Sequence, residues 1–399
     1  MSGDRGLLSI DIDQMSDGTP VTYRVLATSR AFHPGFRGGG PVRSLEKILD
    51  SCPAHVEVML VTSDRDLGTS DPYPGLSGRW VRHRGALVHY LRVGDVRNWV
   101  RLARQLRARR IDLLYVNSLW SLFSQVPVLA AAVGLLPVRS ILLAPRGELS
   151  PGALRLKAGK KRLFLLFWAP LLKRLRVRWQ ACSDLEARHI AARFPWARII
   201  VHGQGTSLPD DARPPQDRPD GPLRLVFISR ISPMKNLDLA LAGLHKVTRP
   251  VNFDIFGPLE DQAYWARCQR LMAGMPANVT VRYRGTLPPE QVIRTFGEYD
   301  AFLLPTRGEN FGHVILESLA ASCPLICSGE TPWNDLIEAG GGTIVRPLTA
   351  DAVAAGVERF AALSPTDRRR ARDHAAEAFG AWRGQQRSTN LFEEVRLLG

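Results

Sequence analysis

Short apolar runs rich in β-branched residues alternate along this chain with longer stretches whose apolar positions recur every three or four residues. The first pattern marks strands buried on both faces and the second marks the helices that cover them. The alternation predicts repeated βα units and a mostly parallel sheet. In the first half the predicted strands are Tyr23–Thr28, Val56–Val61, Leu87–Leu91, Leu113–Val116, Ser140–Leu143, Arg178–Ala181 and Ile199–Val201. A second series follows: Arg224–Ile228, Val251–Phe256, Val279–Tyr283, Ala301–Leu304, Leu325–Cys327 and Thr343–Val345. Between them Thr206–Pro222 sets Pro209, Pro214, Pro215, Pro219 and Pro222 among Asp and Arg, the composition of a linker. Ser183, three residues before Glu186, predicts a capping box at a helix start. Pro365–Leu398 is helical in pattern and Arg-rich, with a break near Gly380 and Gly384.

A chain of 399 residues exceeds what one core usually serves. The expected fold class is α/β, as two Rossmann-like domains whose parallel sheets face each other across an interdomain cleft. The boundaries are a leader over 1–20, a first domain over 21–206, a linker over 207–222, a second domain over 223–380, and a helix over 381–399. That last helix either packs on its own domain or crosses back to the first. In open sheets of this kind ligands bind at the carboxyl ends of the strands.

Residues 1–20 are polar and acidic and lack the apolar stretch of a signal peptide, and the longest apolar run, Leu163–Leu172, falls short of a membrane span. Five cysteines with no CxxC pair fit reduced thiols and a cytoplasmic location, with Cys323 and Cys327 as core residues rather than metal ligands. The net charge of +15 is unevenly placed: residues 1–200 carry 31 Lys+Arg against 15 Asp+Glu, and residues 201–399 carry 22 against 23. The first half is therefore expected to meet something anionic: a membrane surface, a pyrophosphate-linked acceptor or nucleic acid.

Candidate chemistry falls where predicted strands end. Phe36-Arg37-Gly38-Gly39-Gly40-Pro41 lets backbone N–H groups approach an anion ahead of a helix, although such turns are as often structural. Arg230 and Lys235 follow the first strand of the second series, where two cations suit a diphosphate that gains charge as a bond to sugar breaks. In Pro305–Glu317, Glu309 stands in a loop within reach of sugar hydroxyls. Glu317, about two turns into a helix, can accept from a ribose diol, and the amides of Asn310 to His313 open that helix. Spacing alone carries little weight here, because an E-x7-E pair is common on helices. Its place directly after an apolar strand, with Gly308 and Gly312 inside, singles it out.

Together these segments resemble the retaining family-4 glycosyltransferases of the GT-B fold. Phe253–Pro258, Tyr283–Leu287 and Ala144–Ser150 also match that family, notably its exopolysaccharide and lipopolysaccharide-type members, and the likeness covers about nine-tenths of the chain. The resemblance implies that Arg230 and Lys235 grip the donor diphosphate and stabilise it as leaving group. Glu309 would contact the donor sugar and Glu317 the ribose. Asn310, Phe311 and Gly312 would meet sugar and phosphate through the backbone, Gly38 and Gly39 would line the donor–acceptor junction, and Gly285 and Thr286 would lie near the base. Arg146 stands where many relatives carry His, which leaves open which first-domain group faces the reacting carbon; neither His33 nor His313 is assigned to it.

The implied reaction is hexosyl transfer from a nucleotide sugar, UDP-linked by family precedent with GDP-mannose next, to a glycan or polyprenyl-linked acceptor. The departing phosphate would act as base. Glu148 is the nearest carboxylate for the alternative, a covalent intermediate. No cofactor or metal is expected; Asp11, Asp13, Asp210 and Asp211 read as solvated loop residues. From Arg155 to Arg178 nine cations, among them Lys157, Lys160 and Arg162, flank Leu163–Trp168 with no acidic residue. That stretch fits either an anionic membrane surface met peripherally or a buried helix with basic ends. The alternatives are a transferase acting on a soluble natural product and a non-catalytic nucleic-acid binder. The latter is disfavoured because no recognition motif is present. A phosphorylase of the same fold would need a pyridoxal-phosphate lysine context that the sequence lacks.

Overall fold

The computed structural model describes residues 21–35, 37–156, 158–203, 208–217, 220–386 and 389–398. The leader with Asp11 and Asp13, Phe36 of the glycine-rich loop, Lys157, and residues 204–207 and 218–219 at and in the linker lie outside them. The chain divides into two compact units, one of Met1–Ser207 with Ser388–Gly399 and the other of Leu208–Arg387.

In the first unit the order is β1 (Tyr23–Thr28), α1 (Gly40–Asp50), β2 (Val56–Ser63), β3 (Trp80–His83), β4 (Ala86–Leu91), α2 (Val96–Arg107), β5 (Ile111–Val116), α3 (Leu122–Ala132), β6 (Val138–Leu143), α4 (Pro151–Arg155), α5 (Ala158–Arg174), β7 (Arg178–Ala181), α6 (Asp184–Arg193) and β8 (Arg198–Val201). The sheet order is β3-β4-β2-β1-β5-β6-β7-β8, parallel except for the β3–β4 hairpin. Alternate residues of β1 go to opposite faces: Leu26 joins a core with Leu114 and Trp179, while Val25 and Ala27 join one with Leu60 and Tyr115. Central parallel strands are covered on both sides, which is why they read as unbroken apolar runs. β3 was absent from the expected strands.

The second unit continues with β9 (Leu223–Ile228), α7 (Leu237–Leu244), β10 (Val251–Phe256), α8 (Gln262–Ala273), β11 (Val279–Tyr283), α9 (Val292–Phe296), β12 (Ala301–Leu304), α10 (His313–Ala320), β13 (Leu325–Ser328), α11 (Asn334–Ala339), β14 (Thr343–Val345), α12 (Ala350–Ala361) and α13 (Pro365–Gly384). Its sheet, β11-β10-β9-β12-β13-β14, is wholly parallel. The order reverses between β9 and β12, so the loops leaving these neighbours diverge and open a crevice. The described linker residues form no helix or strand, and Arg213 bonds to Ala320 and Ser322 of this unit.

Two expectations are corrected. Gly380 does not break the helix: α13 runs through it to Gly384, because buried Phe379 and Trp382 hold both sides against the second core. That packing outweighs the roughly 1 kcal/mol a helical glycine costs. At α6, Ser183 Oγ accepts from the Glu186 amide, but the Glu186 carboxylate turns away from the cap residue. It accepts instead from the amides of Cys182 (2.8 Å) and Gly147 (2.7 Å). The last helix, α14 (Leu391–Leu397), belongs to the first unit. Leu391, Phe392 and Val395 are fully buried there, and Asn390 Nδ2 donates to Ile48 O at 2.7 Å.

Candidate functional site

The crevice of the second unit is built by two loops stitched to each other. After β9 the chain runs through Ser229–Asn236, and Ile231 N donates to Pro258 O at 2.9 Å. Gly257 is required there: a Cβ on it would lie 1.8 Å from Ser229 O. Asn236, left-handed at φ 59°, turns the chain into α7. Its Nδ2 donates to Pro305 O at 2.9 Å and its Oδ1 accepts from Arg307 Nε at 3.1 Å, while Arg307 N donates to Met234 O. The β9 and β12 loops therefore move as one body.

On that body Lys235 Nζ meets Glu309 Oε1 at 2.6 Å, with the two side chains only 12% and 7% exposed. Arg230 projects instead to Glu260, donating at 2.8–2.9 Å in an exposed pair. The structure thus brings Lys235 and Glu309 together and holds Arg230 on the adjoining β10 loop, which Ile231 and Leu259 bridge. Glu309 N donates to Glu330 O at 2.8 Å, which fixes the loop. α10 starts later than the sequence implied. Gly312, at φ 73°, is the residue before it, so the first-turn amides of this helix belong to His313 and Val314. Asn310 and Phe311 lie in the preceding loop, and Glu317 is the fifth helical residue, little more than one turn in. The cause is the Phe311 ring, buried against Trp333 at 5.3 Å, whose indole N–H bonds Phe311 O and holds the chain out of the helix. Glu317 is buried, and Asn310 Oδ1 is shut from solvent with no hydrogen-bond partner among the described residues. Gly285 accepts from Gly257 N at 2.9 Å beyond β11, beside exposed Thr286. Sequence reasoning missed Glu260, Asn236, Glu330 and Trp333. Only Asn236, an Asn just ahead of a helix, carried a local signal.

At the carboxyl ends of the first unit's strands, Gly38 and Gly39 lead into α1. A Cβ on Gly38 would lie 2.5 Å from Val42 Cγ2, whereas Gly39 at φ 64° has open space beside it. Arg146, at φ 53°, donates to Asn117 Oδ1 and to the Tyr115 hydroxyl, both at 2.5 Å. Glu148 has both oxygens in use: Oε1 accepts from Ser118 Oγ at 2.7 Å and Oε2 from Leu119 N at 2.5 Å. Burial pushes its carboxyl up to about 7, against the opposing pull of those hydrogen bonds. It serves here to close the 117–121 turn.

The architecture of both units is that of GT-B glycosyltransferases. The chain is similar to Anabaena HepE in complex with UDP and glucose, with TM-score 0.63 and 16% identity, covering 94% of this chain and 99% of that one. It is likewise similar to the sucrose-phosphate synthase of Thermosynechococcus elongatus, with TM-score 0.68 and 14% identity over 94% and 100%. Within the chain, residues 210–378, less than half of its length, match the family model of glycosyl transferases group 1, and the second unit carries that domain. Among curated proteins, the sulfoquinovosyl transferase SQD2 of Arabidopsis thaliana is 27% identical over 120 residues, 30% of this chain and 22% of that protein. The O-antigen chain mannosyltransferase B of Escherichia coli is 23% identical over 138 residues, 33% and 35%. These alignments span about a quarter to a third of the relatives' lengths.

Proposed function

We propose that the chain transfers a hexosyl unit from a nucleotide sugar, UDP-linked, to a hydroxyl of a glycan or lipid-linked glycan, as a retaining family-4 enzyme of polysaccharide biosynthesis. The observation that carries the reading is the part-buried Lys235–Glu309 pair at the sheet's switch point, beside the N-terminus of α10. An ammonium has three N–H donors and Glu309 occupies one, which leaves two for a diphosphate. Arg230 adds a guanidinium and the His313 and Val314 amides add aligned dipoles, all where charge grows as the sugar–phosphate bond breaks. The second Glu309 oxygen accepts a sugar hydroxyl and Glu317 takes the ribose diol. Gly285 and Thr286 lie near the base, and Gly38 and Gly39 line the donor–acceptor junction. The bond from the anomeric carbon to the phosphate breaks as the bond to the acceptor oxygen forms on the same face. The acceptor proton passes to the departing phosphate, and no metal is needed. The named ligands of HepE and the named role of the O-antigen enzyme support the donor and the pathway class.

A melting screen with UDP, GDP and dTDP sugars tests the reading, since a ligand that binds only the folded chain raises Tm by mass action. A rise with UDP-sugar and none with the others is expected; no rise with any nucleotide contradicts it.

An anionic membrane is part of the same proposal. On α5, Leu165, Trp168 and Leu172 are buried while Leu163, Leu166 and Phe167 are 61–71% exposed, among Lys160, Arg162, Lys173 and Arg174. Among the described residues no helix is long and apolar enough to cross a membrane. Co-sedimentation with anionic vesicles that is lost in Phe167→Ser is expected, and absence of binding at low salt sinks the membrane part.

A further inference from the structure

The first unit carries a second collection of polar side chains, at the amino ends of its strands, away from the loops that hold Gly38 and Arg146. Arg24 on β1, Arg110 before β5, Arg139 on β6, Arg178 on β7 and Arg396 on α14 surround a cavity of about 490 Å³, with Asp112 as the one carboxylate in its wall among the described residues. Three of the five are already matched. Arg24 Nε meets Glu57 at 2.8 Å, Arg110 Nε meets Asp112 at 3.5 Å and Arg396 Nη2 meets Glu393 at 2.5 Å. Among the described residues neither Arg139 nor Arg178 is paired with a carboxylate. Arg178 Nη2 donates to Ser140 Oγ at 3.3 Å, and Ser140 in turn donates to Asp112 O at 2.9 Å.

The connecting segments on this edge add cations and no further carboxylate. The connections into β5, β6, β7 and β8, residues 107–110, 134–139, 173–178 and 193–198, hold ten Lys or Arg and no Asp or Glu. Cations such as Lys173, Arg174 and Arg107 lie in the last turns of α5 and α2, where they complement the helix dipole. That account does not reach Arg24, Arg139 and Arg178, which lie on strands. A recess whose described wall holds five guanidinium groups against one carboxylate focuses positive potential, and guanidinium forks match phosphate oxygens two at a time. The cavity volume falls in the range of small-ligand sites.

We propose that this cavity is a binding site for a multiply charged phosphate group, with Arg139 and Arg178 as its principal contacts. It is independent of the sugar-diphosphate reading of the second unit. The same chemistry is offered by a soluble oligophosphate or phosphate ester and by a phospholipid headgroup.

The test is calorimetric titration of tripolyphosphate into the full chain, its Arg139→Gln and Arg139→Gln/Arg178→Gln variants, and Lys235→Met, which separates the two units. Each charged hydrogen-bonding group removed should weaken binding about tenfold, so the double variant loses roughly 100-fold while Lys235→Met retains the site. Arg139 and Arg110 are both exposed, so Arg139→Gln and Arg110→Gln keep the test open if the double variant folds poorly. Equal affinity in the wild type and the Arg139 variants overturns the proposal, as does binding that disappears only in Lys235→Met. Displacement of tripolyphosphate by glycerol 3-phosphate assigns a soluble ligand. Displacement only by phosphatidylcholine vesicles doped with phosphatidic acid assigns the headgroup.

Discussion

Replacing Lys235 with Met removes the charge and keeps the length of the side chain. In the wild type Nζ lies 2.6 Å from Glu309 Oε1, with 12% and 7% of the two side chains exposed, so water screens the pair little. Taking away one member of such a pair leaves the other charge buried and alone, at a cost of about 3–5 kcal/mol. Glu309→Gln should cost a similar amount from the other side. Lys235→Met/Glu309→Gln leaves no stranded charge and should be less destabilised than the summed singles, by about 0.5–3 kcal/mol of coupling. The assay is urea unfolding of the four proteins at one pH and salt concentration. In parallel, transfer from UDP-sugar should fall about 100- to 1,000-fold in kcat for Lys235→Met, the loss expected when one donor to a developing anion is removed. Single variants that each lose less than about 1 kcal/mol, as exposed pairs do, together with an additive double variant, would refute the reasoning.

Three further outcomes follow from other parts of the molecule. Burial raises the Glu148 carboxyl to about 7 from an ordinary 4.5, so the folded chain holds a proton that the unfolded chain releases. Stability should therefore fall as pH rises between about 4.5 and 7. Glu148→Gln should lack that fall in urea midpoints taken across the window, and parallel slopes would contradict it. Gly257→Ala puts a methyl group 1.8 Å from Ser229 O, so the β9 and β10 loops must separate. Calorimetry should show a lower Tm, by about 2–4 °C per kcal/mol for a unit of this size. Phe392 is fully buried with its ring 5.4 Å from Tyr115, so Phe392→Ala should cost about 3–5 kcal/mol of first-unit stability in urea. An unchanged midpoint would mean that α14 is dispensable to that core.

The parallel strands were legible because burial on both faces leaves a residue-type signature that needs no partner to be recognised. Val251–Phe256 and Ala301–Leu304 announce themselves in this way. β3 did not, because half of its four residues are Arg82 and His83, and its hairpin turns on Arg84 and Gly85, both at positive φ, rather than on an Asn-Gly pair. The loops bearing Lys235 and Glu309 were legible as strand ends, yet their pairing across 74 residues depends on β9 and β12 being neighbours, which is a property of topology. The start of α10 was misjudged because the Trp333 contact that holds Phe311 outside the helix comes from 22 residues further on. The two unmatched arginines of the first unit were likewise invisible as a group. Arg139 and Arg178 stand 39 positions apart and line one cavity because β6 and β7 are adjacent.

The most direct measurement is a crystal structure of the chain soaked with UDP. The account predicts diphosphate oxygens within hydrogen-bonding distance of Lys235 Nζ and of the His313 or Val314 amide, with the ribose hydroxyls on Glu317. UDP bound elsewhere, with Lys235 still engaged only by Glu309, would contradict it.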